Sequence, residues 1–133
     1  MNGKVTLRLL GQDRQIIGGP FDSWDGTGIS LCLDPTASKR GPATIILDIA
    51  DFTAPTDAQL HATVATLLAV LRARPAEPVY IGCKAGYGRT GTFIAALAKL
   101  AGHPDPVAWT RRHYHPGAVE TTAQEDAIAA FTP

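Results

Sequence analysis

A chain of 133 residues predicts one domain, residues 1–133, large enough to bury a proper core without disulfide staples. Its 45% hydrophobic and 18% charged residues exclude a disordered composition. Twelve basic and twelve acidic residues cancel, so bulk electrostatics draw it to neither nucleic acid nor an anionic membrane; any anion it binds needs a local site.

Val5, Leu7 and Leu9 alternate with polar residues and predict a half-buried strand. Gly11, Gly18-Gly19-Pro20, Gly26, Gly28 and Gly41-Pro42 read as turns. Residues 29–33 and 44–47 read as more deeply buried strands, and 79–82 as another that ends in glycine. Thr56 with Gln59 forms a capping-box pattern, and Leu60, Val64, Leu67, Leu68 and Leu71 follow at helical spacing until Pro75. A second helix opens near Arg89-Thr90 and runs to Gly102, a third starts at Asp105-Pro106, and Thr122 with Glu125 caps a last one. This order predicts an α/β fold: a central, mostly parallel sheet of about four or five strands flanked by helices.

The remaining elements are quickly placed. Cys32 and Cys83 do not make a disulfide scaffold. No apolar run reaches the roughly 18 residues of a membrane span, and the start, Met1-Asn2-Gly3-Lys4-Val5-Thr6, lacks the apolar stretch of a signal peptide. The expectation is a cytoplasmic protein without a membrane or nucleic-acid partner. The four histidines form no metal-ligand spacing, so no metal and no cofactor are expected. Trp24 and Trp109 read as packing anchors, and Arg72, Arg74, Arg111 and Arg112 as helix-end charges.

Chemistry concentrates in Gly82-Cys83-Lys84-Ala85-Gly86-Tyr87-Gly88-Arg89-Thr90-Gly91. A buried strand running into a glycine-rich loop and then a helix turns several backbone N–H groups and a positive helix end into one cup. In that cup the amides of Lys84, Ala85, Gly86, Tyr87 and Gly88, with the fork of Arg89, would bind a phosphate-like oxyanion. Cys83 stands at its entrance, where the same groups favour a thiolate, and Thr90 offers a hydroxyl to the sulfur as it leaves. Gly86-x-Gly88-x-x-Gly91 also matches a dinucleotide fingerprint. That fold, however, needs a second strand ending in an acid about 20 residues on, where this chain has Gly102-His103-Pro104. No Gly-Lys-[Ser/Thr] of a nucleotide P-loop is present.

Cys83-x5-Arg89-Thr90 resembles the signature loop of the cysteine-dependent protein tyrosine phosphatase superfamily. Its Cys-Lys-Ala-Gly-x-Gly-Arg-Thr-Gly form is similar to that of dual-specificity members, including tensin-type lipid phosphatases. The resemblance implies a metal-independent phosphomonoester hydrolase working through a phosphocysteine, with a phosphorylated protein or small phosphomonoester as substrate. It also implies a general acid about thirty residues before the cysteine. Asp51 lies 32 residues before Cys83 and fits, with Asp48 the runner-up. The stretch Tyr114-His115-Pro116-Gly117-Ala118-Val119-Glu120-Thr121-Thr122-Ala123-Gln124-Glu125 is similar to a family segment whose glutamine positions the hydrolytic water, a role that would fall to Gln124. The chain departs from the family at Gly82, where histidine is usual, and at His115, where arginine is usual. Cys32 resembles the second cysteine that tensin-type phosphatases keep close to the nucleophile, as a redox partner; the alternative is a small buried hydrophobe. Competing functions are an inositol-phosphate or lipid phosphatase, an RNA 5′-phosphatase, and a phosphate-binding module with weak turnover.

Overall fold

The computed structural model describes residues 3–133; Met1 and Asn2, part of the segment read for a signal peptide, lie outside the described residues. Alternating burial of Val5, Leu7 and Leu9 makes β1 (Gly3–Leu9). Leu10 and Gly11, both at positive φ, turn the chain tightly into β2 (Gln12–Pro20), which pairs antiparallel with β1 from Gly3↔Gly18 to Leu9↔Gln12. β3 (Ile29–Cys32) and β4 (Ile45–Ile46) follow, then α1 (Asp57–Ala73), β5 (Val79–Cys83), α2 (Gly88–Leu100), α3 (Pro106–His113) and α4 (Thr122–Ala130). The sheet runs β1-β2-β5-β3-β4, and every neighbouring pair except β1–β2 is parallel. The architecture is the α/β fold that the pattern predicts.

Three local expectations are corrected. Gly18-Gly19-Pro20 is not a turn but the end of β2, which runs beside β5. Its glycines answer a crowding problem: a Cβ on Gly18 would stand 2.5 Å from the Tyr114 hydroxyl, and one on Gly86 would stand 2.7 Å from the Gly19 backbone. The strand expected over 44–47 shrinks to two residues, because Thr44 and Ser30 exchange side-chain-to-backbone bonds in place of a ladder (Ser30 N–H to Thr44 Oγ1 and Thr44 N–H to Ser30 Oγ, each 3.0 Å). The last capping box is Thr121 with Gln124, one residue earlier than expected, since both residue pairs fit the pattern and only Gln124 is buried.

Register sorts the side chains into two clusters. Residues level with Val79, Ile81 and Cys83 form the main core with Leu60, Leu67, Phe93 and Ile128 of α1, α2 and α4. Residues level with Tyr80 and Gly82 form a smaller cluster of Phe21, Trp24, Cys32 and Tyr80, covered by connecting segments. The helical layer thus packs on one face of the sheet, and Cys83 sits on that face at the carboxyl edge where β5 meets α2.

Candidate active site

Cys83 ends β5 almost fully buried, and the N–H of Gly86 points at its Sγ from 3.3 Å. Gly86 reaches that position at φ +89°, a conformation that side chains rarely adopt. α2 begins at Gly88 with no side-chain cap at Tyr87, whereas α1, α3 and α4 are capped by Thr56, Asp105 and Thr121. Its first N–H groups are therefore left to the hollow of the loop. Arg89 is buried on the first turn: Nη1 donates to the Ile49 carbonyl at 2.7 Å and lies 3.9 Å from Asp34 Oδ1, and Nη2 lies 3.4 Å from Asp51 Oδ1. Among the described residues, the buried side-chain polar atoms without a partner are Arg89 Nε and Thr90 Oγ1. Lys84 and Ala85 are exposed at the rim, and Tyr87 stacks on His115 with ring centroids 4.4 Å apart. Gly82 replaces the usual histidine for a steric reason, since a Cβ there would stand 2.6 Å from the Phe21 Cα.

The segment over the loop separates the two candidate acids. Burial alternates along Ile45, Leu47 and Ile49, which turns Asp48 outward. There Arg40 grips both Asp48 oxygens, at 2.9 and 2.5 Å, and this pairing holds the Asp48 carboxyl below the usual carboxylate range. Asp51 instead reaches the Arg89 guanidinium with its side chain half exposed. The next residue, Phe52, is 62% exposed with φ +62°, and its N–H donates to Asp51 Oδ1 at 3.0 Å. Asp57 belongs to the first turn of α1 and faces His61 at 3.4 Å, away from this chemistry.

Gln124 is fully buried and joins the tail to that segment. Its Oε1 accepts from Glu120 and Thr121, while Nε2 donates to the Thr53 carbonyl at 3.1 Å. The same Nε2 crowds Gly88, where a Cβ would stand 3.2 Å from it. Cys32 is brought to the same edge of the sheet but not to the nucleophile. It is level with Gly82, so its side chain leaves the opposite face from that of Cys83; both thiols are free, and Cys32 Sγ donates to the Asp34 carbonyl. Burial, the largest influence, raises the Cys32 pKa. Of the two readings of Cys32, this placement in the small cluster favours the small buried hydrophobe.

Other expectations shift in detail. Trp24 anchors the small cluster, and Trp109 stacks between His103 and His113. Arg111, read as a helix-end charge, donates to the carbonyls of Ala118 and Val119 and pins the strained turn at Val119. No group of three or more His, Cys, Asp or Glu side chains suited to a metal occurs among the described residues. Two residues without an expected role touch the site: Asp34, buried beside Arg89, and Tyr114, whose hydroxyl donates to the Gly86 carbonyl at 2.6 Å. Asp34-Pro35-Thr36 looks like an ordinary turn, and Asp34 does accept from the Thr36 N–H and hydroxyl, so nothing in the sequence signals its second contact.

Known proteins share this fold. Among solved structures, Tk-PTP in its active form aligns with a TM-score of 0.67 and 24% identity over 92% of this chain and 93% of its own. Kinase associated phosphatase carrying a substitution of its catalytic-site cysteine aligns at 0.64 and 17% over 97% of each chain. PTPMT1 in complex with PI(5)P aligns at 0.62 and 14% over 85% of this chain and 86% of its own. At these identities the likeness establishes the fold. Two uncharacterized proteins of Methanocaldococcus jannaschii are 38% and 40% identical over 55 and 53 residues, covering 41% and 40% of this chain; the chain spans about a third of the length of each (35% and 36%). A family profile described as "Polymorphic toxin system, DSP-PTPase phosphatase" matches residues 34–103, just over half of the chain and inclusive of the Cys83–Arg89 loop and Asp51. The chain belongs to that family.

Proposed function

We propose that the protein is a metal-independent phosphomonoester hydrolase that works through a phosphocysteine on Cys83. The observation that carries this reading is the pair of orphaned donors, Arg89 Nε and Thr90 Oγ1, in a cup that already aims the Gly86 N–H at a thiol. Buried donors are nearly always satisfied, because leaving one unpaired costs about 1–3 kcal/mol. A phosphoryl group would satisfy the Arg89 donor, and a departing thiolate the Thr90 hydroxyl.

In the first step the Cys83 thiolate attacks phosphorus in line, the bond to the ester oxygen breaks, and Asp51 delivers its proton to that oxygen. Arg89 and the amides of residues 84–88 hold the equatorial oxygens, and this prearranged electrostatic cradle supplies most of the stabilisation. In the second step water attacks the phosphocysteine, Asp51 takes a proton from it, and the sulfur leaves as thiolate toward Thr90. Gln124 keeps one Nε2 hydrogen beyond its bond to Thr53, and its crowding of Gly88 supports the role of holding that water.

The substrate is a phosphoprotein, with phosphotyrosine preferred. Phe52 offers an exposed ring beside the acid, and Tyr87 stands in the loop where inositol-lipid phosphatases carry a second lysine. A lone loop lysine, Lys84, gives a polyphosphorylated headgroup little to grip. Reducing compartments, the cytoplasm among them, suit two cysteines whose placement forbids a bridge. No helix among the described residues is long and apolar enough to cross a membrane.

The test is turnover of p-nitrophenyl phosphate in EDTA, followed by a comparison of kcat/KM for a phosphotyrosine peptide and soluble PI(5)P. Cys83→Ser should abolish turnover while retaining vanadate binding. Turnover that needs added metal, or that survives Cys83→Ser, overturns the mechanism, and a preference for PI(5)P overturns the substrate class.

A further inference from the structure

We infer that Tyr114 is a positioning residue that sets the reactivity of Cys83 through Gly86. Two bonds meet at one glycine: the Tyr114 hydroxyl donates to the Gly86 carbonyl at 2.6 Å, and the Gly86 N–H donates to Cys83 Sγ at 3.3 Å. Gly86 stands at φ +89°, so its orientation needs an outside restraint. The restraint is built in. Tyr114 is buried, and its ring lies so close to the hairpin that a Cβ on Gly3 or Gly18 would come within 2.7 Å of it. The β1–β2 hairpin, outside the stretch matched by the family profile, thus becomes a wall of the phosphate loop. At Gly82 the Phe21 backbone leaves no room for a side chain that could order the loop from behind. The Tyr114 hydroxyl orders it from the front.

Burial raises the Tyr114 pKa, so the phenol stays a neutral donor through the working range. The ionisable groups gathered around Cys83 and its loop are Lys84, Tyr87 and Arg89 on the loop itself, Asp34 and Asp51 at the guanidinium, Tyr80 on β5, Tyr114 after α3, and Glu120 against Gly88. Of these, Tyr114 alone acts on the sulfur through a backbone amide, and its removal changes no formal charge.

The inference deepens the reading of Cys83 as nucleophile, but its test needs no substrate. Iodoacetamide labelling of Cys83 against pH gives a midpoint for the thiol. In Tyr114→Phe that midpoint should rise by about half to one pH unit, the scale of one hydrogen bond, and the dissociation constant of vanadate, measured by direct binding, should rise roughly fivefold. Gly18→Ala, which displaces the ring end, should move the midpoint the same way and serves if Tyr114→Phe folds poorly. A merely structural tyrosine would lower the melting temperature and leave the midpoint where it was; that result overturns the proposal. Absence of turnover in the unmodified protein would strike the phosphatase reading and leave this test intact.

Discussion

The two segments that meet at Arg89 are held in opposite ways. The loop from Cys83 to Arg89 is gripped closely: its amide bonds the sulfur, its carbonyl takes the Tyr114 hydroxyl, and Gly86 and Gly88 fit against β2 and against Glu120 and Gln124 with no space to spare. The acid segment from Asp48 to Pro55 lies over it and is tied mostly at its entry, by the Arg40 grip on Asp48, the Ile49 N–H to the Leu33 carbonyl and the Ile49 carbonyl to Arg89. Beyond Ile49 the main ties are the Thr53 carbonyl to Gln124 and a local turn closed by Thr53 on Ala50. Phosphoryl transfer needs both habits. The cradle must not reorganise as charge develops, whereas the acid must approach a leaving group whose size varies and then turn to a water.

That contrast is broken most severely on the rigid side. Arg89→Lys keeps the charge but loses the fork, the bond to Ile49 and the reach to two phosphate oxygens. It should lower kcat/KM by roughly 10²–10³-fold for every substrate alike, because the equatorial oxygens are present whatever the leaving group. Steady-state rates on p-nitrophenyl and phenyl phosphate provide the check, and a loss confined to one of them would place Arg89 outside the cradle.

The acid segment should fail selectively. Asp51→Asn removes the proton donor and leaves the cradle intact, so turnover of poor leaving groups should fall by roughly 100-fold or more. An activated phenol, which barely needs a proton, should lose far less. Uniform loss across leaving groups would turn Asp51 into another cradle residue and erase the contrast.

The rigid half is also the half that a linear sequence discloses. Strand, glycine-rich turn, Arg and helix are consecutive, so residues 82–91 carry their geometry in local pattern. The approach of Asp51 to Arg89 was legible by spacing, and strand alternation turns Asp48, three residues earlier, away from it. Other contacts between remote segments were not legible. Tyr114 and Asp34 meet the loop only after the sheet is assembled, and Gly18-Gly19-Pro20 reads as a turn until the ring that crowds it is known. Cys32 shows what register adds. Strand ends do gather on one edge, but the register level with Gly82 sends the thiol to the far face.

The smallest expected effect belongs to Asp48, and it sharpens the boundary between catalysis and scaffold. Asp48 and Arg40 form a half-exposed bidentate pair that ties the loop after β3 to the segment entering the acid region. Arg40 depresses the folded-state pKa of Asp48, so the pair's contribution to stability is complete above the unfolded value, about 3.9 for an aspartate. It fades as pH falls through the lower folded value, where the carboxyl protonates in both states. Asp48→Asn should therefore lower the melting temperature by a few degrees at most at pH 7. The difference should shrink in 1 M salt, where the Debye length is about 3 Å, and close in strong acid. Its leaving-group dependence should match that of the unmodified protein. A melting difference that grew toward acid would reverse the sign of the linkage, and a steepened leaving-group dependence would make Asp48, not Asp51, the acid.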